Sequence, residues 1–421
     1  MKYRSSLLSL AAIVLFAFPV NTFGQQEQSS TLANDPLLSD ATLLSGIEAM
    51  HNLNFKKSRA SFDEVRRKFP DHPGAHYYQA ANLFLQTLTQ PRWILPLLSG
   101  LSRSKTFGEN KEKVDEATVQ QFRLSIRQAT QLSKARLKRE PRDVIALYFL
   151  GATHGLNAAF KGTLEGSIVG AMREGSSGVD KHRDVLRLDP EFHDAELSLG
   201  LHDYTVGALP LPVKIMAAVA NFRGSKKRGL ETLERVGREG RLSRHMAKLI
   251  LITLYKREKQ YAQAVERARE LTATYPNSYL FRLAEADALV SHAAEQRRTG
   301  QTAAAANVER EAFTIFDSIL KREPRQEHPD APRELIHFVY GEALLRGGLA
   351  ARAAQQFLAA SSTERADPAI STIALLRAGQ AYDLAGSRRE AIAQYGNVIK
   401  RPDAFDSRDR AEEGLRKPYK E

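Results

Sequence analysis

The stretch Ala369–Asp403, AISTIALLRAGQAYDLAGSRREAIAQYGNVIKRPD, decides the fold. Leu375, Ala378, Gly379 and Tyr382 stand at helical intervals, so they share one face of a first helix. Gly386-Ser387 interrupts the pattern as a turn does. Ala391, Tyr395 and Val398 resume it on a second helix, and Pro402 ends that helix. Small residues at Gly379 and Ala391 let the two helices approach, while Tyr382 and Tyr395 fill the space between them. The segment predicts one antiparallel helical hairpin.

The same intervals recur along the chain. Gly46, Phe55, Ser58, Phe62, Val65 and Pro70 keep them, as do Tyr255, Tyr261, Ala264, Ala268, Leu271 and Pro276. Gly341, Leu344, Gly348, Ala353, Phe357 and Ala360 form a further set. This pattern resembles the tetratricopeptide-repeat (TPR) family, with small residues at repeat positions 8 and 20, a large one at 24 and proline near 32. The resemblance implies an all-α, right-handed TPR-type superhelical solenoid whose concave face is lined by first helices. It also implies a protein or peptide partner. Residues 39–403 then hold eight helical hairpins, and 404–421 a helical cap or tail. The layout from His154 through Tyr204, Leu209-Pro210, Gly224 and Gly229 to Pro276-Asn277 looks like a group of secreted bacterial TPR proteins of unassigned activity.

Four hairpins read as expanded. Tyr77–Leu85 finds its partner only at Phe122–Arg139, and a unit opened by Leu150-Gly151 closes at Asp189-Pro190. Leu199-Gly200 pairs with a helix carrying Gly229, Leu233 and Val236, and Leu280–Val290 with one carrying Ala312, Phe316 and Ile319. The extra residues include two apolar pieces, Trp93–Leu98 and Leu209–Phe222. Ala158, Gly162, Gly166 and Gly170 place a small residue at every fourth position, which on a helix makes one smooth face for close packing. Gly175-Ser176-Ser177-Gly178 reads as a flexible break.

In TPR proteins, first-helix positions 2, 5, 9 and 12 face the groove. Here that frame selects Tyr77, Phe84, Tyr148, Leu197, Leu201, Tyr204, Phe281 and Phe338 as a partner-binding lining. The lining is strongly apolar, and an exposed apolar patch marks an interaction site. Either the insertions fold in and bury it, or it takes an apolar helix, peptide or acyl chain. The second alternative makes the chain a carrier or sensor of an apolar ligand.

The first 24 residues have the layout of a cleaved signal peptide: Lys2 and Arg4, then uncharged Leu7–Phe18, then Pro19 and small residues up to Gly24. Residues 25–38 read as a flexible linker. These features predict export to the periplasm or cell envelope. The chain has no cysteine, which excludes disulfides and zinc–thiolate sites. Its net charge is +12, and Arg223–Lys259 alone carries 12 Lys/Arg against 4 Glu. Arg223, Lys226, Lys227, Arg228, Arg235 and Arg238 form a candidate basic patch for an anionic membrane surface or envelope polymer. No nucleic acid is expected, because no aromatic residues interleave with these charges for stacking.

Among 11 histidines, His76, His337, His154 and His182 fall at repeat positions that pack, and Asp71-His72 with His76 shows no third ligand. His193-Asp194 and His202-Asp203 pair a base with a carboxylate in sequence, but adjacent helical residues point apart. A hydrolytic or metal-dependent enzyme built on His193 and His202 is the least favoured reading. The expectation is a scaffold with no catalytic residue, no cofactor and no metal.

Overall fold

A computed structural model describes residues 34–99, 114–219, 223–321 and 331–420. The expected signal peptide and most of the expected linker lie outside the described residues. Among them the chain is all-α, with nineteen α-helices and no strand. The chain forms two compact units, the first holding residues up to Leu88 and Glu112–Leu254, the second Thr89–Lys111 and Tyr255–Glu421.

The helices pair in sequence order. In the first unit α1 (Ala41–His51) pairs with α2 (Phe55–Lys68). The next first helix, α3 (Pro73–Leu88), is followed by α4 (Pro91–Ser99), which belongs to the second unit. The partner of α3 is α5 (Glu116–Arg139). Then α6 (Val144–Thr163) packs on α7 (Ile168–Leu188), and α8 (Glu196–Gly207) on α10 (Lys226–Glu239), with α9 (Leu211–Val219) between them in sequence. Next come α11 (Arg244–Arg257), whose residues up to Leu254 belong to the first unit, and α12 (Tyr261–Thr274), which belongs to the second. In the second unit α13 (Tyr279–Arg298) pairs with α14 (Thr302–Leu320), α15 (Arg333–Arg346) with α16 (Ala350–Ser362), and α17 (Pro368–Leu384) with α18 (Arg388–Ile399). The last helix, α19 (Ser407–Arg416), caps this array against α17 and α18.

One contact explains why these sequences close as hairpins. A Cβ added at Gly46 would stand 2.7 Å from Phe62, one at Gly341 2.7 Å from Phe357, and one at Gly379 2.7 Å from Tyr395. Each ring is sixteen residues after its glycine. A side chain there would force the helices apart. The turn is repeated too. Leu53, Lys259, Gly300, Gly348 and Gly386 all adopt positive φ, and in each case the second helix begins two residues later.

The four expanded hairpins take up their extra length in two ways. After α3 and α8 it forms the short helices α4 and α9. In α6/α7 and α13/α14 it lengthens the helices themselves, to between 19 and 21 residues. The predicted run Ala158–Gly170 is therefore not one helix, because Gly166 turns the chain at φ +66 between α6 and α7. The close crossing uses other glycines. Gly178 sits so near α6 that its Cβ would meet the Gly151 carbonyl oxygen at 2.9 Å. The expected flexible break at Gly175–Gly178 is accordingly the interior of α7, where small residues admit the neighbouring backbone. The linker expectation fails at its end: Leu37 and Leu38 are fully buried, and Asp35 pairs with buried His72 at 3.1 Å.

Candidate partner-binding surface

The eight predicted groove residues do not form an open apolar wall. Seven are buried, and Leu201 is half-buried. Their neighbours are other helices of the array. Tyr77 packs its ring on Tyr78 and Phe149, and Phe84 on Phe122 and Phe160, which stack at 4.0 Å. Tyr148 stacks on His182 and tilts against Phe192, and its hydroxyl lies 3.4 Å from Ser243 Oγ. Phe338 meets Phe357 edge-on. The repeat frame identified large first-helix residues, but neighbouring rings pack against Tyr77, Phe84, Tyr148, Phe281 and Phe338.

The predicted basic patch is partly neutralised. Arg228 forks onto Asp203, and Arg235 onto Glu196 with two hydrogen bonds of 2.7 Å, so both clamp α10 to α8. Arg238 lies 4.0 Å from Glu234 and from Glu239. Arg223, Lys226 and Lys227 are exposed, Lys227 with only a 3.9 Å approach to Glu231. The sequence window overstated the charge because three of its cations, Arg228, Arg235 and Lys256, meet acids from outside it. Nearby, α9 exposes Leu211 and Ile215, 72% and 58%.

His182 fills the space over Gly151, bonds Ser198 Oγ and the Tyr148 carbonyl, and is pushed down to about 4 by burial. His154 holds Glu174 at 2.7 Å, Lys161 bonds the same carboxylate, and Glu174 is held down to about 2, chiefly by His154. His72 turns to Asp35 and His76 to the Pro70 carbonyl, so they do not converge on a metal. His193 faces Glu191, Glu196 and Glu239 at 3.4 Å each, whereas Asp194 accepts the backbone N–H groups of Arg241, Leu242 and Ser243. Burial raises the Asp194 carboxyl despite those bonds. Asp203 takes Arg228 in an ion pair. Asp194 thereby pins the loop entering α11.

Two features of the second unit went unread. The first is an ion network on first helices. Asp287 of α13 is shared by Lys256 and Arg346, and Glu342 of α15 takes Arg377 of α17 through two bonds of 2.5 and 2.8 Å. Lys256 stands at groove position 12 of its repeat, so the frame could have found it. The second feature is α4. It packs on α15 and α17, with Ile94 and Leu95 buried and Arg92 2.9 Å from Asp367. No local signal links residues 275 apart.

A stack of helical hairpins with cations and apolar contacts on its first helices defines a helical-repeat scaffold of the protein-interaction kind. The tetratricopeptide repeat model matches residues 247–278 and 373–404, so the chain carries tetratricopeptide repeats there. Both matches fall on hairpins read from the sequence. No curated protein matches the chain. Among solved structures it is similar to the human IFIT1 dimer with m7Gppp-AAAA, at 12% identity and TM-score 0.42 over 99% of this chain and 85% of that one. It is also similar to a tetratricopeptide repeat protein from Parabacteroides merdae, at 13% and 0.31 over 80% and 97%. Yeast Tom70 matches at 12% and 0.32 over 89% and 87%.

Proposed function

We propose that this chain is an exported scaffold that binds a protein or peptide partner in the cell envelope. The observation that carries the reading is the repeated glycine–aromatic hairpin, the building unit of repeat arrays that take extended or helical segments. Export rests on the leader pattern of residues 1–24. The apolar-carrier alternative loses support because the lining residues already pack on protein.

Native mass spectrometry of the mature protein tests the choice. A stoichiometric complex rebuilt from purified components supports the scaffold. A co-purifying lipid with no protein complex replaces it with the carrier.

A second reading has an observation of its own. Exposed Leu211 and Ile215 of α9 precede exposed Arg223, Lys226 and Lys227, a combination suited to an anionic membrane surface. Vesicles containing anionic lipid should then bind the chain at low salt and release it as salt rises, because surface charges are screened over about 8 Å at physiological ionic strength. No binding at low salt removes this reading.

A further inference from the structure

In an amphipathic first helix, the face turned away from its partner is left to solvent or to a ligand. α17 departs from this. All seven residues from Ile370 to Leu376 are buried, so over those two turns no side of the helix is open. α15 is similar, with Leu335, Ile336 and Phe338–Gly341 buried. α4 packs against both helices. It inserts Ile94 and Leu95 and sets Arg92 on Asp367, while the other oxygen of Asp367 caps α17 at the N–H of Ala369, 2.8 Å away.

α4 is a poor helix by itself. It has nine residues, fewer than the roughly 12–15 that an isolated helix needs, and Pro96 lies in its interior. Its helical form therefore depends on the surface it covers. A segment held only by its docking contacts is one that a better-fitting segment can replace.

We propose that the α15–α17 face beneath α4 is the partner-docking surface and that α4 is its internal occupant. The partner it fits is a short amphipathic helix with one cation beside two adjacent aliphatic side chains, the chemistry of Arg92, Ile94 and Leu95. This rests on the scaffold reading and adds its site and its competitor. Occupation by α4 lowers the apparent affinity for a partner by the fraction of time the face is free.

The probe is a labelled peptide of residues 89–99, offered to the full chain and to a full chain whose residues 91–99 are replaced by Gly/Ser. The peptide should bind the replaced chain roughly tenfold or more tightly than the native one, since no internal competitor remains. Arg92→Glu in the peptide should abolish that gain. Asp367→Asn in the chain should weaken binding while still accepting the Ala369 N–H. Equal binding to both chains, indifference to both charge changes, or no binding to a folded replaced chain overturns the proposal. So does a native dimer that exchanges α4 between copies, which assigns the face to a second copy.

If the replaced chain does not fold, Arg92→Glu in the intact chain decides. Hydrogen exchange should rise in residues 91–99 and 368–376 but not in 388–399, and unchanged exchange overturns the proposal. A partner complex that persists while the peptide arm fails moves the docking face elsewhere and leaves the scaffold reading standing.

Discussion

The hairpins α15/α16 and α17/α18 of the second unit each set an aromatic ring against a glycine, Phe357 on Gly341 and Tyr395 on Gly379. Two hairpins of the first unit hold the same place differently. His182 lies over Gly151, and Leu233 over Gly200. The first unit keeps the close approach of helices but fills the gap with whatever side chain suits a longer or interrupted hairpin. The consequence is electrostatic. Among the described residues the buried histidines, His51, His72, His182 and His245, all lie in the first unit. In the second, the carboxylates Asp287 and Glu342 tie cations of neighbouring first helices together. Two units built on one hairpin plan should therefore respond differently to acid.

Acid gives the largest expected difference. Burial pushes His51 and His182 down to about 4 and His245 to about 3. Each binds its proton more readily in the unfolded chain, whose imidazoles titrate near 6.5. Stability is thus complete above that value and is lost as pH falls towards 4. By pH 5 the loss is on the order of 2 kcal/mol for each histidine. The buried Asp194, whose carboxyl is raised, shifts stability in the opposite sense. Hydrogen exchange at pH 7.5 and 5 should show α6, α7 and α11 losing protection before α15–α18. Equal loss in both units erases the contrast.

Asp194→Ala comes next. It removes the acceptor of three backbone N–H groups at the start of α11. Leaving buried donors unsatisfied costs about 1–3 kcal/mol or more. A melting transition confined to the first unit should drop, with the second unit unchanged.

Gly379→Leu probes the second unit. Its side chain would collide with Tyr395, and overpacking of this kind costs about 1–3 kcal/mol. The last hairpin has a neighbour on one side and only α19 on the other, so exchange across 368–416 should rise. Arg389→Ala, at an exposed site, should change nothing measurable. Intact protection in Gly379→Leu would refute the repeat register.

The smallest effect is a gain. Lys259 is exposed and holds φ +60 in the turn where other hairpins use glycine. Relieving that backbone should offset the added freedom of glycine, so Lys259→Gly should raise the melting temperature slightly, by about 1 kcal/mol of stability or less. A fall in melting temperature would show that the side chain does more than occupy the turn.

The hairpin pairings were legible because each depends on residues close in sequence and on a fixed period. Gly379 and Tyr395 declare one another from sixteen residues away, and even the delayed partner of α3 shows its own apolar stripe. Local spacing also placed His182 among packing residues before any contact was known. It failed at Ala158–Gly170, where a regular interval of small residues runs through a turn, because spacing does not reveal where a helix stops.

What the sequence by itself determined was the unit of construction: a helical hairpin, its glycine-set crossing and the place of its turn. These follow from backbone sterics and side-chain volume within some forty residues. Only the tertiary structure decided which surfaces remain for a partner. Whether Tyr148 faces water or His182, whether Arg235 is an open charge or a clamp on Glu196, and where α4 comes to rest all depend on groups brought together from distant parts of the chain. Burial and charge neutralisation are properties of what lies opposite a residue, and the linear pattern around that residue does not contain them.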